Sequence, residues 1–560
     1  MNSSGGDQPQ LRPRHFTLVL LGVVLASLIP RLLLGATQFV EYDGYWHVWI
    51  AQQDNWANFL REYQVNAHPP LYFLALRLSF WLGRTQLVYR SVSLLSGAAS
   101  VYLVGRTAMK ATRSPLWAAL AALAYGLALP GILISNEVRT YMLSAFFVQV
   151  SFYYFLDLIP EQQPHSLKPR ILFAVMAVLG CLTEYYALIY VGGVLLFSLL
   201  LPIVRRDAKW GRALLRELAT FVLILALPVW EYISHFGTGT VAYDHLPDYY
   251  YKPETGEAVI DFLLRNLRNE WNWFSPWPVP DGTPFYALMG ILLVVAIAIV
   301  FLSRKWRDTV NLAALVSLFL PLVMMCAIMV GALLRAYPFG GYLRQQFVLF
   351  PFFVVCLFLF LDRILSAVPR TASLIVAGVL TVAVIAAGVE TYQAWPKIPQ
   401  LLLSDQMARY NRDFPATEAV YIDQFNLTTF FMHHHNWKWE FEQPVATHPT
   451  VDVYKLSRDN HSMQLFRDKD RWNLDFRDQQ LYASVADSMT ARHLSSMTFF
   501  CLAQSPGKAR SPSMLDAYKD HVAELAAGHN LCVQKMDVNN YDVYAEFRRA
   551  GACTAKEPAQ

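Results

Sequence analysis

Four short stretches of this chain carry side chains equipped to move protons and hold anions. The first, Val40-Glu-Tyr-Asp-Gly-Tyr-Trp-His-Val-Trp49, offers Glu41, Asp43 and His47. Asp43 and His47 are four residues apart, so a helix sets them on one face. The second, Asn66-Ala-His-Pro-Pro-Leu-Tyr-Phe73, presents His68 ahead of two prolines that fix the entering backbone. The third, Ile134-Ser-Asn-Glu-Val-Arg-Thr-Tyr141, places Glu137 beside Arg139. The fourth, Arg335-Ala-Tyr-Pro-Phe-Gly-Gly-Tyr-Leu-Arg344, offers two guanidiniums, a glycine-rich backbone and Tyr342. Arg90 and the neighbours Glu184 and Tyr185 join them. Carboxylates and histidine suit acid–base work, and arginine's fork matches phosphate. Each stretch also has a plain reading as a solvated helix, a proline-started helix or a mutual ion pair.

The elements that must position these residues are apolar. The 560 residues are 55% hydrophobic and 16% charged, with a mean hydropathy of +0.29. Apolar segments recur near 16–34, 71–83, 88–105, 115–134, 140–158, 170–185, 187–203, 214–235, 285–303, 310–334, 345–361 and 371–391. Most approach the roughly 20 residues needed to cross a bilayer. No small-residue cleavage site follows the first, which reads as a retained span. The net charge of +4 comes without a basic block for nucleic acid.

Segment 71–83 decides the topology. It is short, carries Arg77 and opens after Pro69-Pro70. At about 1.5 Å per residue it falls short of roughly 30 Å of hydrocarbon. Read as an interfacial helix, it leaves eleven spans. The basic loops around Arg12, Arg106, Lys168, Arg205, Arg304 and Arg363 then share one side, as the positive-inside rule asks. Residues 1–15 become a cytoplasmic N-terminus. The loop 35–70 and the aromatic loop 236–284 face outward with the turns near 135–139 and 335–344.

From about residue 396 the chain turns polar. Ala419–Asp423 and Met497–Leu502 read as buried strands, Pro512–Ala527 as an amphipathic helix stopped by Gly528, and Tyr541–Phe547 as an edge strand. Residues 396–560 are therefore expected to form an extracytoplasmic α/β domain. Cys501, Cys532 and Cys553 lie there, and Cys501–Cys532 is the preferred pair in an oxidising compartment. Asn426-Leu-Thr428 fits a glycosylation sequon. His433-His-His435 points its rings in different directions, which argues against one shared metal ion. Glu231 and His235 either line a cavity or satisfy each other.

The motifs Glu41-Tyr-Asp43, His68-Pro-Pro-Leu-Tyr72, Tyr89-Arg-Ser-Val-Ser93 with Gly97, Asn136-Glu-Val-Arg139, and Tyr337-Pro-Phe-Gly-Gly341 with Arg344 resemble the GT-C glycosyltransferases. The nearest likeness is to bacterial family 39-like enzymes with an RgtA/B/C/D-like domain, relatives of protein O-mannosyltransferases and lipid A aminoarabinose transferases. It covers residues 16–395. It implies a GT-C helical membrane fold, a polyprenyl-phosphate sugar donor and inverting single displacement onto a lipid, glycan or protein of the bacterial envelope, including lipopolysaccharide. Asp43 is implied as the base, with Glu137 as second acid and Glu41 beside them. His68 and the arginines Arg90, Arg139, Arg335 and Arg344 are implied at the donor phosphate. Two departures stand out. The family often has Asp-Glu where this chain has Asp43-Gly44, and Glu184 stands where a histidine is common. The resemblance implies no required cofactor, although some relatives bind a divalent metal. The rival classes are a transporter or flippase and a non-catalytic assembly subunit. A transporter would show inverted repeats and charged, broken spans, whereas these acids lie at span ends.

Overall fold

The computed structural model describes residues 13–37, 40–64, 66–158, 167–205, 209–236, 247–274, 312–340, 344–366, 368–394, 419–435, 437–458, 461–469, 478–502, 512–538 and 542–550. The chain divides into two compact units. One joins the residues up to Thr37 with Tyr63–Pro396, and the other joins Gln38–Glu62 with Lys397–Gln560.

The first unit is helical. α1 (Pro13–Thr37) is apolar along its length. α2 (Tyr42–Ala51) and most of α3 (Trp56–Gln64) belong to the second unit. α4 (Leu71–Ser79) continues as a 3-10 turn, Phe80–Leu82. Its twelve residues extend about 18 Å, short of a bilayer's hydrocarbon. α5 (Gln86–Thr112) starts at a cap in which Thr85 accepts from the Val88 amide. α6 (Pro115–Leu127) and α7 (Leu129–Asn136) bend by 52° at their junction. α8 (Thr140–Leu158), α9 (Leu167–Thr183), α10 (Ala187–Arg205) and α11 (Lys209–Phe236) follow. α12 (Val259–Phe274) lies in the long loop. α13 (Leu312–Leu333), α14 (Phe350–Leu365) and α15 (Arg370–Ala394) complete the unit.

Among the described residues six helices are long and apolar enough to cross a membrane, or seven with the bent α6–α7 pair. The expected span at 285–303 lies outside the described residues. Several helices turn large apolar side chains outward, as lipid contact requires. Leu25 on α1 is 65% exposed and Val382 on α15 is 68%.

Arg31 shows how the unit tolerates a charge inside an apolar helix. It donates to the carbonyls of Ser27 at 2.7 Å and Gly126 at 2.5 Å and to Ser135 at 3.0 Å. The break between α6 and α7 supplies partners for that guanidinium. Gly97 permits the close approach of α5, since a Cβ there would strike Ser135.

The second unit is built on a seven-stranded mixed sheet, ordered β2-β3-β4-β1-β5-β7-β6. The strands are β1 (Ala419–Asp423), β2 (Lys438–Phe441), β3 (Val451–Arg458), β4 (His461–Asp468), β5 (Ser496–Leu502), β6 (Leu531–Val538) and β7 (Asp542–Arg549). β1 is buried at all five positions and pairs in parallel with β4 and β5, as a central strand does. α16 (Gln424–His434), α17 (Gln479–Ala491) and α18 (Pro512–Gly528) accompany the sheet.

Several details bear on the sequence reading. The strand expected at the sheet edge near Tyr541–Phe547 is β7, which lies inside the sheet between β5 and β6. Asn426, the sequon residue, is fully buried and donates to both Asp423 oxygens at 2.9 and 2.8 Å, so it cannot take a glycan in the folded chain. Cys501 stands opposite Val543 and Cys532 opposite Arg548, on either side of β7 and offset along it. That puts them more than about 10 Å apart, beyond the roughly 7 Å a disulfide tolerates. Cys532 is disulfide-bonded, so its partner is not Cys501, while Cys181, Cys326 and Cys356 are free. His434 is a core histidine. It stacks on Phe430 at 4.2 Å, and burial pulls its pKa down to about 4.

Candidate functional site

In the first unit the charged motifs gather around Tyr141, at the start of α8. Glu184, just past α9, lies 2.6 Å from His68 Nδ1. Thr140 donates to the same carboxylate oxygen, and the Tyr185 amide donates to the other at 3.1 Å. The His68 ring meets Tyr141 edge-on at 5.8 Å. Glu137, at the C-terminal end of α7, pairs with Arg344 Nε at 3.3 Å. The charges of Arg139, Glu184, Arg344 and Glu137 all bear on Tyr141. The sequence therefore named five residues, from four separate stretches, that the fold brings together: His68, Glu137, Arg139, Glu184 and Arg344. They place three cationic or protonatable groups among two carboxylates, which suits a phosphate and a proton donor together.

A second cluster includes Tyr185 and three further side chains. Tyr185 donates to Glu231 at 2.5 Å and lies 2.8 Å from His235 Nδ1. Tyr63 donates to the other Glu231 oxygen. Burial and the Glu231 carboxylate hold the Tyr63 hydroxyl above the usual phenol value, so it stays a neutral donor. Tyr63 escaped sequence reading because it sits in an amphipathic helix with no motif around it. The spacing of Glu231 and His235 flagged the other half.

Arg90 serves the fold. It is 1% exposed and donates to the carbonyls of Asn136 at 2.9 Å and Gly35 at 3.2 Å, tying the ends of α7 and α1. Arg90 is expected at the donor phosphate, and in the fold two of its guanidinium nitrogens are held by these backbone carbonyls. Arg335 is likewise engaged, 2.5 Å from Glu254 and 3.2 Å from the Tyr251 carbonyl. It pins the aromatic loop to the turn, where Phe339 N–H also donates to Tyr249 at 2.9 Å. Gly340, at φ 145°, makes that turn, and a Cβ there would strike Asn266. Tyr342 lies outside the described residues.

In the same unit, Glu270 of α12 is 1% exposed, and neither carboxylate oxygen has a hydrogen-bond partner among the described residues. Burial alone holds its pKa well above the usual value.

Glu41 and Asp43 belong to the second unit. Glu41 occupies the N-cap of α2 without a side-chain cap bond, and Asp43 is exposed in the first helical turn. His47, the residue four further on, turns inward at 1% exposure, with Nδ1 2.6 Å from the Asp43 carbonyl. Among the described residues no group of three histidine, cysteine or acidic side chains is arranged to hold a metal ion.

No family model matches the chain, and no curated protein matches it. Solved structures do. ArnT from Cupriavidus metallidurans in the apo state is similar over 97% of this chain and 99% of its own, at 13% identity and a TM-score of 0.53. The same protein bound to undecaprenyl phosphate matches over the same shares, at 14% identity and a TM-score of 0.49. The chain thus has a GT-C fold, a multi-pass helical membrane architecture with a C-terminal α/β domain.

Proposed function

We propose that this chain is an integral membrane glycosyltransferase of the family 39-like kind, moving a sugar from a polyprenyl phosphate to an envelope lipid, glycan or protein. The observation that supports it most is the set of paired charges around Tyr141: His68 with Glu184, and Arg344 with Glu137. An acceptor hydroxyl attacks the anomeric carbon from the face opposite the phosphate. The new C–O bond forms as the sugar–phosphate C–O bond breaks, the electron pair leaves on the phosphate oxygen, and configuration inverts. Asp43 takes the acceptor's proton, with Glu41 beside it. Arg344, Arg139 and His68 meet the charge that grows on the departing phosphate. Glu137 and Glu184 orient those cations. The basic-loop pattern supports a cytoplasmic N-terminus and an extracytoplasmic sheet domain, and the family resemblance implies a bacterial inner membrane.

The test is Asp43→Asn in membranes supplied with a polyprenyl-phosphate sugar. Loss of a general base lowers turnover by about 100-fold or more. Full activity would remove Asp43 as the base.

A further inference from the structure

The helix that carries Asp43 needs an external hold. α2 has ten residues and no side-chain cap. Isolated helices of that length are marginal in water. Its hold lies within its own unit. Trp49, six residues past Asp43 on the same helix, is 1% exposed. Its ring lies 4.9 Å from Trp439, 5.2 Å from Tyr454 and 5.4 Å from Phe431. Tyr45 adds an edge contact with Phe431 at 6.4 Å. The Trp49 indole donates to Glu62 at 3.1 Å. Glu62 in turn accepts from Arg467 of β4 through both oxygens, at 2.8 and 2.7 Å. Tyr454 donates to the same carboxylate at 3.3 Å. Glu62 and Arg467 are 2% and 1% exposed at their side chains.

A buried ion pair of this kind stabilises little beyond what apolar residues would, but it fixes geometry. The eight residues from Gly44 to Ala51 are all buried, whereas Asp43 is exposed.

We infer that the sheet domain is the positioning platform for Asp43, acting through Trp49, Glu62 and Arg467 as positioning residues. The inference rests on the reading of Asp43 as the base. The relay runs from Arg467 to Glu62, from Glu62 to the Trp49 indole, and along α2 to Asp43.

The experiment uses the full-length protein in proteoliposomes with a polyprenyl-phosphate sugar, reading kcat, donor KM and thermal unfolding separately. Glu62→Met/Arg467→Met removes the charges together and keeps the volume. It should keep the melting temperature and donor KM yet lower kcat by roughly tenfold or more, the scale of a small misplacement of a catalytic group. Trp49→Phe, which removes the indole hydrogen bond and keeps the ring, should lower kcat in the same direction with donor KM unchanged. It decides alone if the double variant does not fold. Lys438→Gln, at an exposed pair with Glu440, should leave kcat unchanged. Wild-type kcat in the folded double variant, or in Trp49→Phe where the double variant does not fold, overturns the platform. Loss of activity in Asp43→Asn beside that result removes the platform alone. Full activity in Asp43→Asn removes the base itself.

Discussion

The charged pairs around Tyr141 in the helical unit and the Glu62–Arg467 pair in the sheet unit are built on different terms. Around Tyr141 each pair keeps an open edge. Arg344 and Glu137 side chains are 32% and 18% exposed, and those of His68 and Glu184 are 13% and 9%. In the sheet unit Glu62 and Arg467 are sealed, and both carboxylate oxygens are already spoken for. An open pair can exchange its partner for a ligand. A sealed pair can only hold a shape, because losing one member strands a buried charge.

Arg467→Met should cost the most, about 3–5 kcal/mol of stability, with the loss recovered in Glu62→Met/Arg467→Met. Calorimetry of the full protein reads both. The same pair gives a pH signature. Burial alone would raise the Glu62 pKa, but Arg467, Arg61 and the Trp49 indole hold it below its usual value. Its contribution is therefore complete above about pH 4.3 and drains away as pH falls through the lower folded value. The double variant should lose less melting temperature on acidification than the wild type.

Glu184→Gln tests the open class. It should fold normally and lower transfer by about 100-fold, or roughly 2.7 kcal/mol, in a membrane assay. A wild-type rate there would reduce the His68–Glu184 pair to scaffolding. Arg344→Lys keeps the charge and loses the fork, so donor KM should rise roughly tenfold, about 1.4 kcal/mol. Glu270 belongs to neither class, being buried with no partner for its carboxylate oxygens among the described residues. Glu270→Leu should raise stability by about 1 kcal/mol at neutral pH, readable as a higher melting temperature.

Local signals in the sequence were readable where chemistry and element coincide. The acids at span ends, the short segment after Pro70, strands β1 and β5 and the helix ending at Gly528 all announce themselves through composition and periodicity. What stayed hidden depends on distant backbone groups. The Asn136 and Gly35 carbonyls that hold the Arg90 guanidinium lie 46 and 55 residues away in the chain. β4 was missed for another reason: its burial switches on halfway along rather than alternating. The membership of residues 38–62 in the sheet unit had no local signal, since Glu62 and Arg467 give no hint of each other in sequence.

That last pair sets a timetable for biogenesis. Glu62 and Arg467 are 405 residues apart. At about 5–20 residues per second of synthesis, the Glu62 carboxylate waits on the order of 20–80 s for its guanidinium. During that interval α2 has its sequence but not its seat, and the Trp49 indole has no aromatic box to enter. The segment bearing Asp43 is made among the first of the chain and secured among the last.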